Sequence, residues 1–157
     1  MLRGKRVLIV DDEPDVLETL KDLLEMSEIS TATSFEEAKM LLQTQHFDLA
    51  VFDIMGVDGF KLLEIANERK ILTVMLTAHA LSLENTVKSF KKGAAYFIPK
   101  EEMANIAIFL NDVLEGERGE KSFWRKWLDR LGEFYDKRFG SDWMKQDRDF
   151  WDEIKQK

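Results

Sequence analysis

The chain has 157 residues, 45% of them hydrophobic and 34% charged, the composition of a folded globular protein with room for one core and an appendage. It has no cysteine, which excludes disulfides and thiolate metal sites, and its two histidines, His46 and His79, are too few for a histidine metal cluster. A formal charge of −7 speaks against a nucleic-acid surface, the apolar runs are too short to span a bilayer, and no signal peptide precedes the first of them, so a cytoplasmic location is expected.

In chain order, apolar runs fall at Val7–Val10, Leu49–Phe52, Ile71–Leu76 and Tyr96–Ile98, with a weaker one near Ser30–Thr33. None alternates polar with apolar, so both faces should be covered, as in a parallel sheet between helices. Helical patterns separate the runs. Val16, Leu20, Leu23 and Leu24 form the first stripe, and Ser34 with Glu37 opens the second at capping-box spacing. Phe60–Glu68, Leu83–Lys91 and Glu101–Leu114 supply three more. This β-α order predicts a doubly wound α/β unit with a five-stranded parallel sheet over residues 1–115. Residues 116–121, containing Gly116 and Gly119, read as a charged linker.

Ligands of such sheets gather at the carboxyl ends of the strands. There the chain places Asp11 and Asp12 after the first strand, Asp53 after the third, Thr77 after the fourth and Lys100 after the fifth. Clustered carboxylates repel one another, a conflict that a hard divalent cation such as Mg²⁺ resolves. The ion and Lys100 would together suit a phosphoryl group, with Asp53 the candidate nucleophile. Taken singly, each residue has a plainer explanation: a helix cap, a turn, a strand threonine, a surface lysine. Their joint placement at successive strand ends does not.

The stretch 1–114 resembles a response-regulator receiver domain of two-component signalling. "VLIVDDEPDVLETL" is similar to that family's opening strand, acidic pair and first helix; "VMLTAHA" resembles the strand ending in its switch threonine, and "GAAYFIPK" the run ending in its lysine. The resemblance implies the flavodoxin-like strand order 2-1-3-4-5 and phosphotransfer from a histidine kinase or phosphotransfer protein to Asp53. It further implies Mg²⁺ held by Asp12, Asp53 and the Met55 backbone carbonyl, with Asp11 assisting through water. Thr77 and Phe97 fall at the switch positions. Such a protein is a phosphoacceptor that takes part in its own phosphorylation and dephosphorylation, not an enzyme with a separate substrate. Two alternatives stand beside it: a receiver-like scaffold independent of phosphate, and a phosphatase of the haloacid-dehalogenase type. The second requires Asp-x-Asp, where this chain has Asp53, Ile54 and Met55. The sequence departs from the family in the loop "DIMGVDGF", which is two residues short and lacks the usual proline. It also has Glu101, not proline, after Lys100. A cis bond there would cost about 3–4 kcal/mol, so trans is expected.

Residues 122–157 hold all four tryptophans. Trp124, Trp127, Leu128, Leu131, Phe134 and Tyr135 share one helical face; Gly140 ends that helix, and a second, over Asp142–Lys157, carries Trp143, Phe150, Trp151 and Ile154. Asp142, Asp147, Asp149, Asp152 and Glu153 against Lys145, Arg148, Lys155 and Lys157 oppose a DNA-binding helix-turn-helix, and the mixed charge opposes membrane-surface binding. The stripe either folds back on the α/β unit or pairs with a second copy; its breadth favours a homodimer through the tail.

Overall fold

Four apolar runs and one weaker, polar one become five strands, β1 (Arg6–Val10), β2 (Glu28–Ala32), β3 (Leu49–Asp53), β4 (Leu72–Thr77) and β5 (Tyr96–Pro99), in a computed structural model that describes residues 2–117 and 123–156. They pair in parallel in the order β2-β1-β3-β4-β5, as expected. Every residue of β3 is buried, which is why it reads as an unbroken apolar run. Register sets Val10 beside Phe52, Asp53 beside Leu76, and Thr77 beside Pro99, so the ends of four strands line one edge of the sheet.

Helices α1 (Pro14–Leu23), α2 (Phe35–Thr44), α3 (Gly59–Glu68), α4 (Leu83–Lys91) and α5 (Ile106–Glu117) connect and follow the strands. α1 packs against α5 and α2 against α3. The Ser34 cap forms, with Ser34 Oγ accepting from Glu37 N at 3.2 Å, while Glu37 Oε1 reaches back one residue further than the capping box requires and accepts from Thr33 N at 2.9 Å. α1 instead starts on Pro14, whose missing N–H costs nothing at a helix start.

Three boundaries differ from expectation. β2 begins two residues earlier and ends one earlier than its weak signal because its run, Glu28–Ala32, is polar and mostly half-exposed. The helix expected over Glu101–Leu114 begins as a 3₁₀ turn, Lys100–Asn105, and continues to Glu117. Gly116, expected in a flexible linker, is therefore helical, and a Cβ there would run into the Phe123 ring. Its glycine permits close approach between α5 and the following helix. Residues 118–121 of the expected linker lie outside the described residues. Among those described there is no cis peptide, and no helix is long and apolar enough to cross a membrane.

The tail forms α6 (Phe123–Phe139), a 3₁₀ turn at Trp143–Asp147, and α7 (Arg148–Gln156). α6 closes where Gly140 N donates to Asp136 O at 2.9 Å. The tail lies on the flank of the sheet formed by α4, the edge strand β5 and α5. Trp127, Leu131, Tyr135, Trp143 and Trp151 are fully covered there, while Trp124, Leu128 and Phe134 pack as partly buried neighbours. The homodimer expectation rested on a stripe too broad for folding back; α4, β5, α5 and α7 already cover that breadth within one chain. The side chain of Ile154 lies outside the described residues. A helix along β5 also shields an edge that would otherwise invite strand pairing.

Candidate phosphoacceptor site

Asp11 directly follows β1 and has no exposure, and Asp53 ends β3 at 6%. Between them reaches Lys100, the residue after β5: its Nζ is 2.9 Å from Asp11 Oδ2, 2.9 Å from Glu13 Oε1 and 3.7 Å from Asp53 Oδ1. Asp11 Oδ1 accepts from Glu13 N at 2.9 Å, which fixes the turn into α1. Asp12 and Glu13 are exposed beside them, and the carboxylates of Asp11, Asp12 and Glu13 offer oxygens within 4.8 Å of one another. Thr77 follows the residue paired with Asp53 and is buried; its Oγ1 accepts from Ala80 N at 3.0 Å, leaving its proton available to another acceptor.

Charge crowding has consequences for protonation. Burial, joined by the negative charges of Asp11, Asp12 and Glu13, pushes the Asp53 carboxyl up to about 7, with Lys100 pulling the other way. The hydrogen bond and charge of Lys100 hold Glu13 below its usual range. For Lys100, burial works against its charge, but its close contacts with the Asp11 and Glu13 carboxylates prevail and raise it.

The short loop after Asp53 is possible because of glycine. Gly56 has φ +86°, and a Cβ there would press on the Asp12 carboxylate, 2.7 Å from its carbon. The same loop leaves Met55 half exposed at the rim and carries the chain through Asp58, at φ 54°, into α3. Gly56→Ala is expected to lose about 1–3 kcal/mol in urea unfolding through the positive φ and the displaced Asp12. An unchanged midpoint would show that the loop has another path.

The donor set fits a hard divalent cation. Asp11 Oδ2 is buried, touched by Lys100 but without an aligned hydrogen bond, and four carboxylates share one edge. Asp11, Asp53 and Lys100 are brought into contact, Asp12 and Thr77 adjoin them, and Met55 stands on the loop. Phe97 is not at the site: its ring is buried in the core, and its carbonyl accepts from Trp127 Nε1 at 2.6 Å. Glu13 escaped the sequence reading. The run of three acids in "DDEP" was the signal, but only folding shows that the third turns back to Lys100.

The family model described as the response regulator receiver domain matches residues 7–108. This chain belongs to the response-regulator receiver family. Among curated relatives, the two-component response regulator ARR18 of Arabidopsis thaliana is 34% identical over 113 residues, 66% of this chain and 18% of that protein. The heme response regulator HssR of Staphylococcus aureus is 37% identical over 98 residues, 59% of this chain and 43% of that protein. The receiver thus spans less than half the length of these relatives. Among solved structures, a receiver domain protein (CheY-like) from Methanospirillum hungatei superposes with TM-score 0.60 at 31% identity, over 71% of this chain and 98% of that one. A Burkholderia pseudomallei response regulator shares the fold at TM-score 0.61 and 23% identity, over 75% of this chain and 74% of that one. That structure holds a phosphorylated aspartic acid, a calcium ion and citrate.

Proposed function

We propose that the receiver is a phosphorylation-dependent switch, cytoplasmic and without DNA contacts of its own, that takes a phosphoryl group on Asp53 from a histidine kinase or phosphotransfer protein. Its output is protein–protein contact. One observation carries the reading: a buried, crowded carboxylate with a lysine ammonium 3.7 Å away at the carboxyl edge of the sheet. A carboxylate oxygen of Asp53 attacks phosphorus in line; the O–P bond forms as the P–N bond of the phosphohistidine donor breaks, and the departing imidazole nitrogen keeps the electron pair and takes up a proton. Lys100 shifts from Glu13 toward the new phosphoryl oxygens, and the Thr77 hydroxyl donates to one of them. Asp12, Asp53 and the Met55 carbonyl would hold Mg²⁺, with Asp11 through water; when bound, the ion neutralises charge on the transferring group. The calcium and phospho-aspartate of the Burkholderia neighbour support this assignment. Water later cleaves the acyl phosphate, so the protein turns over no separate substrate.

The proximity of Lys100 to Asp11 and Glu13, closer than to Asp53, favours a second reading in which the site is satisfied without phosphate and the fold is a scaffold. Intact-mass measurement after acetyl phosphate and Mg²⁺ decides between them. One added phosphoryl group, lost on removing Mg²⁺ and absent in Asp53→Asn, is expected. No adduct under any condition would establish the scaffold.

A further inference from the structure

The tail is fastened to the α4–β5–α5 flank by polar bonds and by packed rings. Tyr135 Oη lies 2.6 Å from Thr86 Oγ1 on α4, and Arg130 makes a two-pronged ion pair with Asp112 on α5, at 3.0 and 3.2 Å. Phe90 on α4 meets Trp124 and Trp127 at 5.4 and 5.1 Å between centroids. Interiors of this kind pack as densely as organic crystals and leave few voids larger than a water molecule. One part of the seam does not close. A groove of about 560 Å³ remains between α4 and the turn before α7, within the size range of small-molecule sites. Its apolar side is made by Leu83 and Val87 of α4 and by Trp143 and Trp151 of the tail. The two indoles stand edge to face, 4.9 Å apart at 81°, and Trp143 Nε1 donates to Asp136 Oδ1 at 2.8 Å, so the floor is held in place before any ligand arrives.

Charge decides what such a groove can take. The chain is strongly acidic overall, yet here three lysines, Lys88, Lys91 and Lys92, face two acids, Glu84 and Asp147. Two of the lysines are matched: Lys91 Nζ lies 3.4 Å from Asp147 Oδ2, and Lys92 Nζ lies 3.3 Å from Glu64 Oε1. Lys88 forms no ion pair among the described residues. Its Nζ stands over the Phe60 ring, 4.3 Å from the centroid, an attraction that leaves the ammonium's donors free for an anion. We propose that the groove is a binding site for a small amphipathic monocarboxylate. Its apolar body lies against Leu83, Val87, Trp143 and Trp151, and its carboxylate accepts from the Lys88 ammonium. A cationic ligand would face all three lysines, and a neutral one would leave Lys88 unmatched. Half of the apolar lining comes from the tail, so the site exists only where receiver and tail meet. No residue of the Asp53 site lines it among the described residues, and binding there stands apart from phosphotransfer.

Naphthoate, naphthalenemethanol and naphthylmethylammonium share one apolar body and differ in charge, which makes them suitable probes of the full-length protein. Calorimetric titration is expected to show a single saturable site for naphthoate, about 10-fold tighter than for the alcohol, the effect of one charge-assisted hydrogen bond at an open site. The ammonium should bind most weakly, and the preference for the anion should shrink in high salt. Lys88→Gln is expected to abolish that preference while leaving the affinity for the alcohol unchanged, a pattern that misfolding would not produce. In nuclear magnetic resonance spectra, the amides from Leu83 to Lys91 and the indole N–H groups of Trp143 and Trp151 should shift along the same binding curve. No saturable binding of naphthoate at millimolar concentration, equal affinity for the three probes, or shifts confined to other residues would overturn the proposal. So would shifts of these same resonances with protein concentration alone, which would assign the groove to a second copy of the chain.

Discussion

Trp127→Ala is expected to lower the free energy of unfolding by about 3–5 kcal/mol, the range for removing a large aromatic ring from a filled core. Trp127 is fully buried and meets Phe90, Tyr135, Trp143 and Trp151 at ring-centroid distances of 4.9–6.3 Å. Its indole N–H is also spent on the Phe97 carbonyl, so truncation removes a hydrogen bond along with the ring. Trp124→Ala, at a partly buried position, should cost about half as much or less. Urea denaturation followed by circular dichroism measures both. A loss under 1 kcal/mol for Trp127→Ala would mean that the tail does not stay docked in solution.

The second large effect is a fall in stability with rising pH. Asp53 sits at about 7 in the folded protein against an ordinary value of 3.8, so between these limits the folded state binds the extra proton and unfolding releases it. For a carboxyl raised on folding, the contribution is present at low pH and is lost as pH climbs toward 7. About three units at ~1.4 kcal/mol each give roughly 4 kcal/mol at most. Asp53→Asn removes the titration. Without divalent metal, it is expected to match the parent protein near pH 4 and to exceed it by about 2–4 kcal/mol at pH 8. Millimolar Mg²⁺ should narrow that gap by favouring the ionised carboxylate. Equal stability of the two proteins at pH 8 in chelator would show that the site relaxes its charge crowding in some other way.

The sheet was legible because strands buried on both faces leave continuous apolar runs, and β3, the most enclosed, left the clearest one. β2 was the poorest, since a half-exposed strand such as Glu28–Ala32 lacks that signature. Asp11, Asp53, Thr77 and Lys100 were legible through position, each following an apolar run. The partnership of Lys100 with Glu13 was not, because a lysine's reach across 87 residues leaves no local pattern. The tail shows the same division. Its apolar stripe is periodic and local, so it could be read; its receptor, the α4–β5–α5 flank, joins Tyr135 to Thr86 and Trp127 to Phe97 across 49 and 30 residues. A stripe states how much surface must be covered. It does not state by what.

The order of synthesis gives the tail a further significance. α4, β5 and α5 are complete once residue 117 has been made, forty residues before Lys157, and at about 5–20 residues per second those forty take roughly 2–8 s. Until α6 and α7 follow, Phe90, the flank of β5 and an Asp112 carboxylate held by Tyr96 alone lack their cover, and crowding on a polysome sets neighbouring copies side by side. The segment that covers this surface is made only after the surface itself. A released chain truncated between α5 and α6 therefore keeps all five strands and an adhesive flank, and should be captured by chaperones more than the chain that reaches Lys157.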